Sequence, residues 1–234
     1  MDKRIRVDVW SDVACPWCWV GKRRLEAAID RFDGDVDVFW HAFELNPQAP
    51  RQAPKSVDYA DRLARKYGMG AAQAQQFIDR MVGAGAEEGI EFRFDRIRPG
   101  NTFDAHRLLA FAATRGAANE VKERLFEAYM SNGQAVTDRA VLIEIAVAAG
   151  LDEDEVAGAI STDAGATEVR DDERAAARMG VSGVPFFVVG GRYAVAGAQP
   201  ADVLLEALDK AADEPIPTGA DAAVGPACGP DGCD

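Results

Sequence analysis

Two cysteines stand two residues apart in Cys15-Pro16-Trp17-Cys18, and the chemistry this spacing offers is redox. A dithiol so spaced closes a small ring on oxidation and opens it on reduction, exchanging electron pairs with other thiols. Before it, Ile5, Val7 and Val9 alternate as the apolar side of a strand. After it, Leu25, Ala28 and Ile29 recur at helical spacing. Cys15 therefore falls where a strand ends and a helix begins. A helix N-terminus presents unpaired N–H groups and the positive end of the peptide dipole, and both favour a thiolate over a thiol. Pro16 suits an early helical position, where its missing donor is no loss. On this reading Cys15 is the exposed attacking thiol, and Cys18, one turn on, is the more buried resolving partner.

The other cysteines form a second close pair, Cys228 and Cys233, around Gly-Pro-Asp-Gly. That turn chemistry can bring two sulfurs together. The linker over residues 213–227 spans about 20 Å, enough to cross a small domain, so the pair is a candidate auxiliary dithiol relaying to Cys15/Cys18. A metal clip or an idle tail are the bland alternatives. Zinc at Cys15/Cys18 is disfavoured, since a closed site takes four ligands and the other cysteines lie at the far end of the chain. Of the two histidines, His41 sits among aromatics at the end of a strand and reads as a satisfied polar group. His106, on a later helix, is a candidate for proton transfer to Cys18.

Composition narrows the class. The chain has 234 residues, 48% of them hydrophobic, enough to build a substantial core. A net charge of -13 repels nucleic acid and anionic membrane alike. Met1-Asp2-Lys3-Arg4 leads straight into a strand with no apolar signal segment, and no run approaches the ~20 apolar residues of a membrane span. The expected location is cytoplasmic. Thiols there are kept reduced, so paired cysteines are more often catalytic or metal-binding than structural.

The elements that must position the dithiol follow in order. A strand over 5–10 feeds a helix to about 32, and 36–40 alternates as a second strand. A crossover of this length implies parallel pairing. Residues 46–54 are a proline-rich loop. Helical patterns then cover 57–66, with Ser56 as N-cap and Gly68 as terminator, and 71–86. A further one, capped by Asn101 or Thr102, runs to 114, and others cover 119–131, 138–149, 152–161 and 164–179. Residues 90–94 form a short extended connector. Past Gly180 the pattern reverts to strand over 184–189, a Gly190-Gly191 turn, a strand over 192–196 and a last helix over 201–212. From 213 on the composition is that of a flexible tail.

The expected fold is α/β: a thioredoxin-like βαβ…ββα domain, residues 1–54 and 180–213, interrupted by an all-helical insert over 55–179, with a flexible C-terminal tail over 214–234. A CxxC at the first helix of that arrangement resembles the DsbA family of thiol-disulfide oxidoreductases, and within it the FrnE-like branch. The resemblance rests on residues 12–19, on Gly183-Val184-Pro185-Phe186-Phe187-Val188, on the hairpin over 191–199, and on Asn101-Thr102-Phe103-Asp104-Ala105-His106-Arg107-Leu108. It implies a cis Val184–Pro185 bond packed against the dithiol, with the Val184 backbone free to pair with an extended substrate. Pro16 and Trp17 then line the substrate side. Kappa-class glutathione transferases and 2-hydroxychromene-2-carboxylate isomerases, which carry one serine at the nucleophile position, depart from this sequence at that residue.

The function expected is cytoplasmic thiol–disulfide exchange with protein or small-molecule thiols. The only redox group needed is the Cys15/Cys18 disulfide. No bound cofactor is implied, and glutathione is a candidate co-substrate. Two alternatives stand beside it: a glutathione-dependent isomerase or transferase acting on an aromatic or polyketide-like molecule, and a thiol chaperone or metal-binding module.

Overall fold

Alternating apolar residues build β1 (Arg4–Ser11), whose C-terminal end leads through a tight loop into α1 (Pro16–Ile29). β2 (Asp35–Ala42) returns parallel to β1, with Val7 opposite Val38 and Val9 opposite Trp40. After the helical stretch come β3 (Phe186–Val189), β4 (Tyr193–Ala196) and α9 (Ala201–Asp213). The sheet order is β2-β1-β3-β4, with β3 antiparallel to both β1 and β4. The computed structural model describes residues 4–51 and 58–213.

One face of this sheet carries α1 and α9. Val7, Val9, Phe187 and Val189 pack there against Leu25, Ala28, Leu204 and Leu208, all buried. Because side chains alternate along a strand, Asp8 and Trp10 belong to the other face. Trp10 and Phe186 pack there with Ala175, Ala176 and Met179 from the end of α8 (Ala166–Arg178) and the residues after it.

The intervening helices are α2 (Tyr59–Tyr67), α3 (Ala71–Glu87), α4 (Phe103–Ala113), α5 (Ala118–Met130), α6 (Arg139–Ala148) and α7 (Glu153–Ser161). Their ends obey local chemistry. The side chains of Asp58, Asp138 and Asp152 accept backbone N–H groups in the first turns of α2, α6 and α7. Gly68 stops α2 in the left-handed conformation at φ 63°. Asp58, rather than Ser56, thus caps α2; Ser56 lies outside the described residues. At α4 the Thr102 side chain makes no cap bond, and the Asn101 carboxamide oxygen instead accepts the Phe103 N–H at 3.0 Å.

The chain forms two compact units, one of the described residues up to Phe43 and from Asp171 onward, the other Glu44–Arg170. The return crossing falls inside α8 because the later part of that helix packs on the sheet. The bounds expected from sequence, 54 and 179, fall later along the chain. β3 also starts later than its apolar run, since Pro185 has no N–H for a ladder and the Val184 carbonyl is engaged elsewhere. Arg192 belongs to the hairpin turn, its N–H donating to Val189 O at 3.1 Å.

Candidate active site

Cys15 is the N-cap of α1, with extended backbone (φ -101°, ψ 111°) and Pro16 opening the helix behind it. The preceding loop is held by Asp12, whose carboxylate accepts Ala14 N–H at 3.1 Å and whose carbonyl accepts Cys15 N–H at 3.1 Å. The Cys18 N–H donates to Cys15 O at 3.0 Å, the first bond of the new turn. Cys15 and Cys18 are not joined in a disulfide. The helix end therefore presents its positive pole to Cys15, as its place in the sequence requires.

The antiparallel register of β1 and β3 explains what meets the dithiol. Trp10 pairs with Phe186, so the chain running on from Trp10 and the chain running back from Phe186 head to one end of the sheet. There the Cys15 thiol donates to the Val184 carbonyl at 3.4 Å. The Val184–Pro185 peptide bond is cis. Pro185 is anchored in turn, its carbonyl accepting the Gly197 N–H at 2.8 Å.

Burial corrects one expectation. Cys15 is only 5% exposed, against 1% for Cys18, so the attacking thiol is less open than its position at a helix start suggests. The neighbouring Val184–Pro185 segment, with Pro185 itself buried, is the reason. Pro16 is buried, Trp17 half-buried and Trp19 buried.

The sequence profile of the DSBA-like thioredoxin domain matches residues 6–209. The chain belongs to the DsbA-like thioredoxin family. It is a DsbA-like oxidoreductase by that membership and by its similarity to a probable DsbA oxidoreductase from Streptomyces coelicolor. The crystal structure of that protein is 42% identical, covers 98% of each chain and superposes with a TM-score of 0.84. An uncharacterised Bacillus subtilis protein, YwbO, is 28% identical over 87% of this chain and 96% of its own length. The fold is also similar to that of the cytosolic disulfide reductase DsbM from Pseudomonas aeruginosa, in a structure with glutathione. That likeness has a TM-score of 0.55 at 20% identity, over 78% of this chain and 84% of the other.

In this DsbA-like chain, Cys15, Pro16, Trp17, Cys18, Val184 and Pro185 lie in one compact unit. His106 lies in the other, buried in the first turn of α4. Cys228 and Cys233 lie outside the described residues. Among the described residues no cluster of three or more His, Cys, Asp or Glu is placed to hold a metal ion, and no helix is long and apolar enough to cross a membrane.

His41 reads from sequence as a satisfied polar group, and two carboxylates satisfy it. Its Nε2 meets Asp8 Oδ1 at 2.7 Å and its Nδ1 meets Asp172 Oδ1 at 2.6 Å. Trp10 stacks on the imidazole with ring centroids 4.4 Å apart, and its own Nε1–H donates to Asp172 O at 3.1 Å. Asp172 Oδ2 also accepts Ala42 N–H at 2.9 Å. Burial pulls the His41 pKa down, but the bonds to Asp172 and Asp8 outweigh it and hold the imidazole up at about 9. Burial likewise opposes ionisation of Asp8, while His41 and Arg6 override it and bring that carboxyl down to about 2. At neutral pH both ring nitrogens therefore donate. Gly21, in the interior of α1, also borders the site, close against Pro185. A glycine inside a helical pattern is the signal that flags it.

Proposed function

We propose that this protein catalyses thiol–disulfide exchange through Cys15 and Cys18, with Cys15 as the attacking group. The observation that carries this reading is the placement of Cys15 as N-cap of α1 with its thiol on the Val184 carbonyl. The Cys15 thiolate attacks one sulfur of a substrate disulfide, forming a mixed disulfide and expelling the other sulfur as a thiolate. Cys18, deprotonated, then attacks Cys15 Sγ and releases the second substrate thiolate. The substrate disulfide gains two electrons and the Cys15/Cys18 pair loses them; run backwards, the same steps deliver a disulfide. The Val184 backbone is suited to pair with an extended peptide beside Cys15, with Pro185, Pro16 and Trp17 lining that site. Glutathione is a reasonable small partner, since the similar fold of DsbM is known in a structure with glutathione. The cytosolic setting named for DsbM fits the expectation of a cytoplasmic protein, and the stretch Asn101–Leu108 supports placement in the FrnE-like branch. Cys228 and Cys233 enter this scheme as an auxiliary dithiol, and replacing both with serine should slow turnover.

The test is trapping. Cys18→Ser should accumulate the Cys15 mixed disulfide, visible as an adduct by mass spectrometry, and Cys15→Ser should form none. Turnover surviving Cys15→Ser would refute the assignment. Activity that survives Cys18→Ser with undiminished kcat would instead favour a glutathione-dependent isomerase or transferase.

A further inference from the structure

Glycine in a helix interior costs about 1 kcal/mol relative to alanine, so an interior glycine calls for a reason. Gly21, in α1, has one. A Cβ added there would meet Pro185 Cγ at 2.9 Å, Pro185 Cβ at 3.4 Å and Phe187 Cζ at 3.2 Å. Ordinary carbon–carbon contact is roughly 3.5–4.0 Å, so the nearest of these is a clash.

The atoms on the far side have little room to give. The pyrrolidine ring fixes the Pro185 φ, and its Cγ can shift only by repuckering. Pro185 O is tied to Gly197 N–H at 2.8 Å, and Phe187 is fully buried on an inner strand paired on both sides. A methyl group at position 21 therefore moves Pro185 away from α1, and Val184 moves with it. Val184 is the residue whose carbonyl meets the Cys15 thiol.

We propose that Gly21 is a positioning residue. Its bare Cα is the floor on which Pro185 sits, and it sets the spacing between the Val184 backbone and Cys15 on which binding of an extended disulfide substrate depends. This rests on the reading of Val184 as the substrate-pairing backbone. In this role Gly21 acts through Pro185.

The experiment compares the full-length wild-type chain with Gly21→Ala, and uses Gly83→Ala as a control. Gly83 lies in α3, with nothing within 4 Å of an added Cβ. Each is assayed on a disulfide-bonded peptide and on hydroxyethyl disulfide, which is too small to pair along a backbone. For Gly21→Ala the peptide KM should rise about tenfold with kcat nearly unchanged, the signature of lost binding rather than lost chemistry. The rate with hydroxyethyl disulfide should stay within about twofold, and Gly83→Ala should match wild type on both. An unchanged peptide KM, or an equal loss on both substrates, would overturn the assignment. Should Gly21→Ala not fold, the pair Gly21→Ala/Phe187→Leu, which vacates the ring tip beside the methyl, carries the same test against Phe187→Leu alone. If the wild type reduces neither substrate, the thiol-exchange reading itself falls; if it reduces both and Gly21→Ala does too with unchanged KM, only the role of Gly21 falls.

Discussion

His41 holds its proton between two carboxylates, and this makes stability depend on pH at both ends of the range. The His41 pKa is raised from 6.5 to about 9 on folding, so its contribution is complete below about 6.5 and is lost as pH climbs through about 9. The Asp8 pKa is lowered from 3.8 to about 2, so its contribution is complete above 3.8 and is lost as pH falls through about 2. Urea unfolding should therefore show a plateau between these limits and an alkaline decline of at most about 1.4 kcal/mol per pH unit for the one proton. His41→Gln should remove that alkaline decline and lower stability at pH ~6 by about 1.5–3 kcal/mol, the range for hydrogen bonds to charged groups. A decline that persists in His41→Gln would assign it to another group. This cluster was only partly legible in the sequence. His41 among aromatics reads as satisfied, but Asp8 and Asp172 stand far apart along the chain, and no periodic pattern pairs them. The dithiol was legible because its whole signal is local: spacing, a proline, and the change from strand to helix period.

At the scale of elements, legibility follows how local the determinants are. The 3.6-residue period places α5, α6, α7 and α8 within about two residues of their observed ends. Asp152 caps α7, accepting Glu155 N–H at 3.0 Å. Asp152→Ala should cost about 1 kcal/mol, measured by thermal or urea unfolding. Leu208→Ala, in the buried face of α9, should cost about 2–5 kcal/mol, because it opens a cavity between α9 and the sheet. A smaller loss at Leu208 than at Asp152 would contradict the packing described for α9. Less legible were the starts of α2 and β3. α2 begins where an aspartate side chain is free to cap it. β3 begins only where the Val184–Pro185 segment, held toward Cys15, rejoins the ladder. Tertiary contacts set the second of these boundaries, and periodicity does not carry them. The approach of Gly21 to Pro185 belongs to the same class, announced in the sequence only by a glycine where a helix would take alanine.

At the scale of the whole molecule, the fold is a four-stranded α/β unit of the DsbA-like thioredoxin family into which a long helical stretch is inserted. The first and last residues of the helical unit, Glu44 and Arg170, form an ion pair at 2.8 Å, and Glu44 also accepts from Asn101 Nδ2 at 2.9 Å. The Glu44 side chain is 1% exposed. Arg170→Met should remove one charge-assisted bond from the buried Glu44 carboxylate and lower stability by about 1.5–3 kcal/mol in urea unfolding, while Asp61→Asn, on an exposed pair, should cost under about 1 kcal/mol. Equal effects would mean that the Glu44 pair is screened as surface pairs are. Within the sheet unit the same crossing is closed from the other side, where Ala42 and His41 bond to Asp172. The helical stretch thus leaves and rejoins the sheet at one spot, and a gap cut there is closed by a turn rather than a span. In terms of recombination, it is a cassette with adjoining ends. An exchange of the whole cassette for another would keep the dithiol, its helix and the Pro185 that sits on it in one piece.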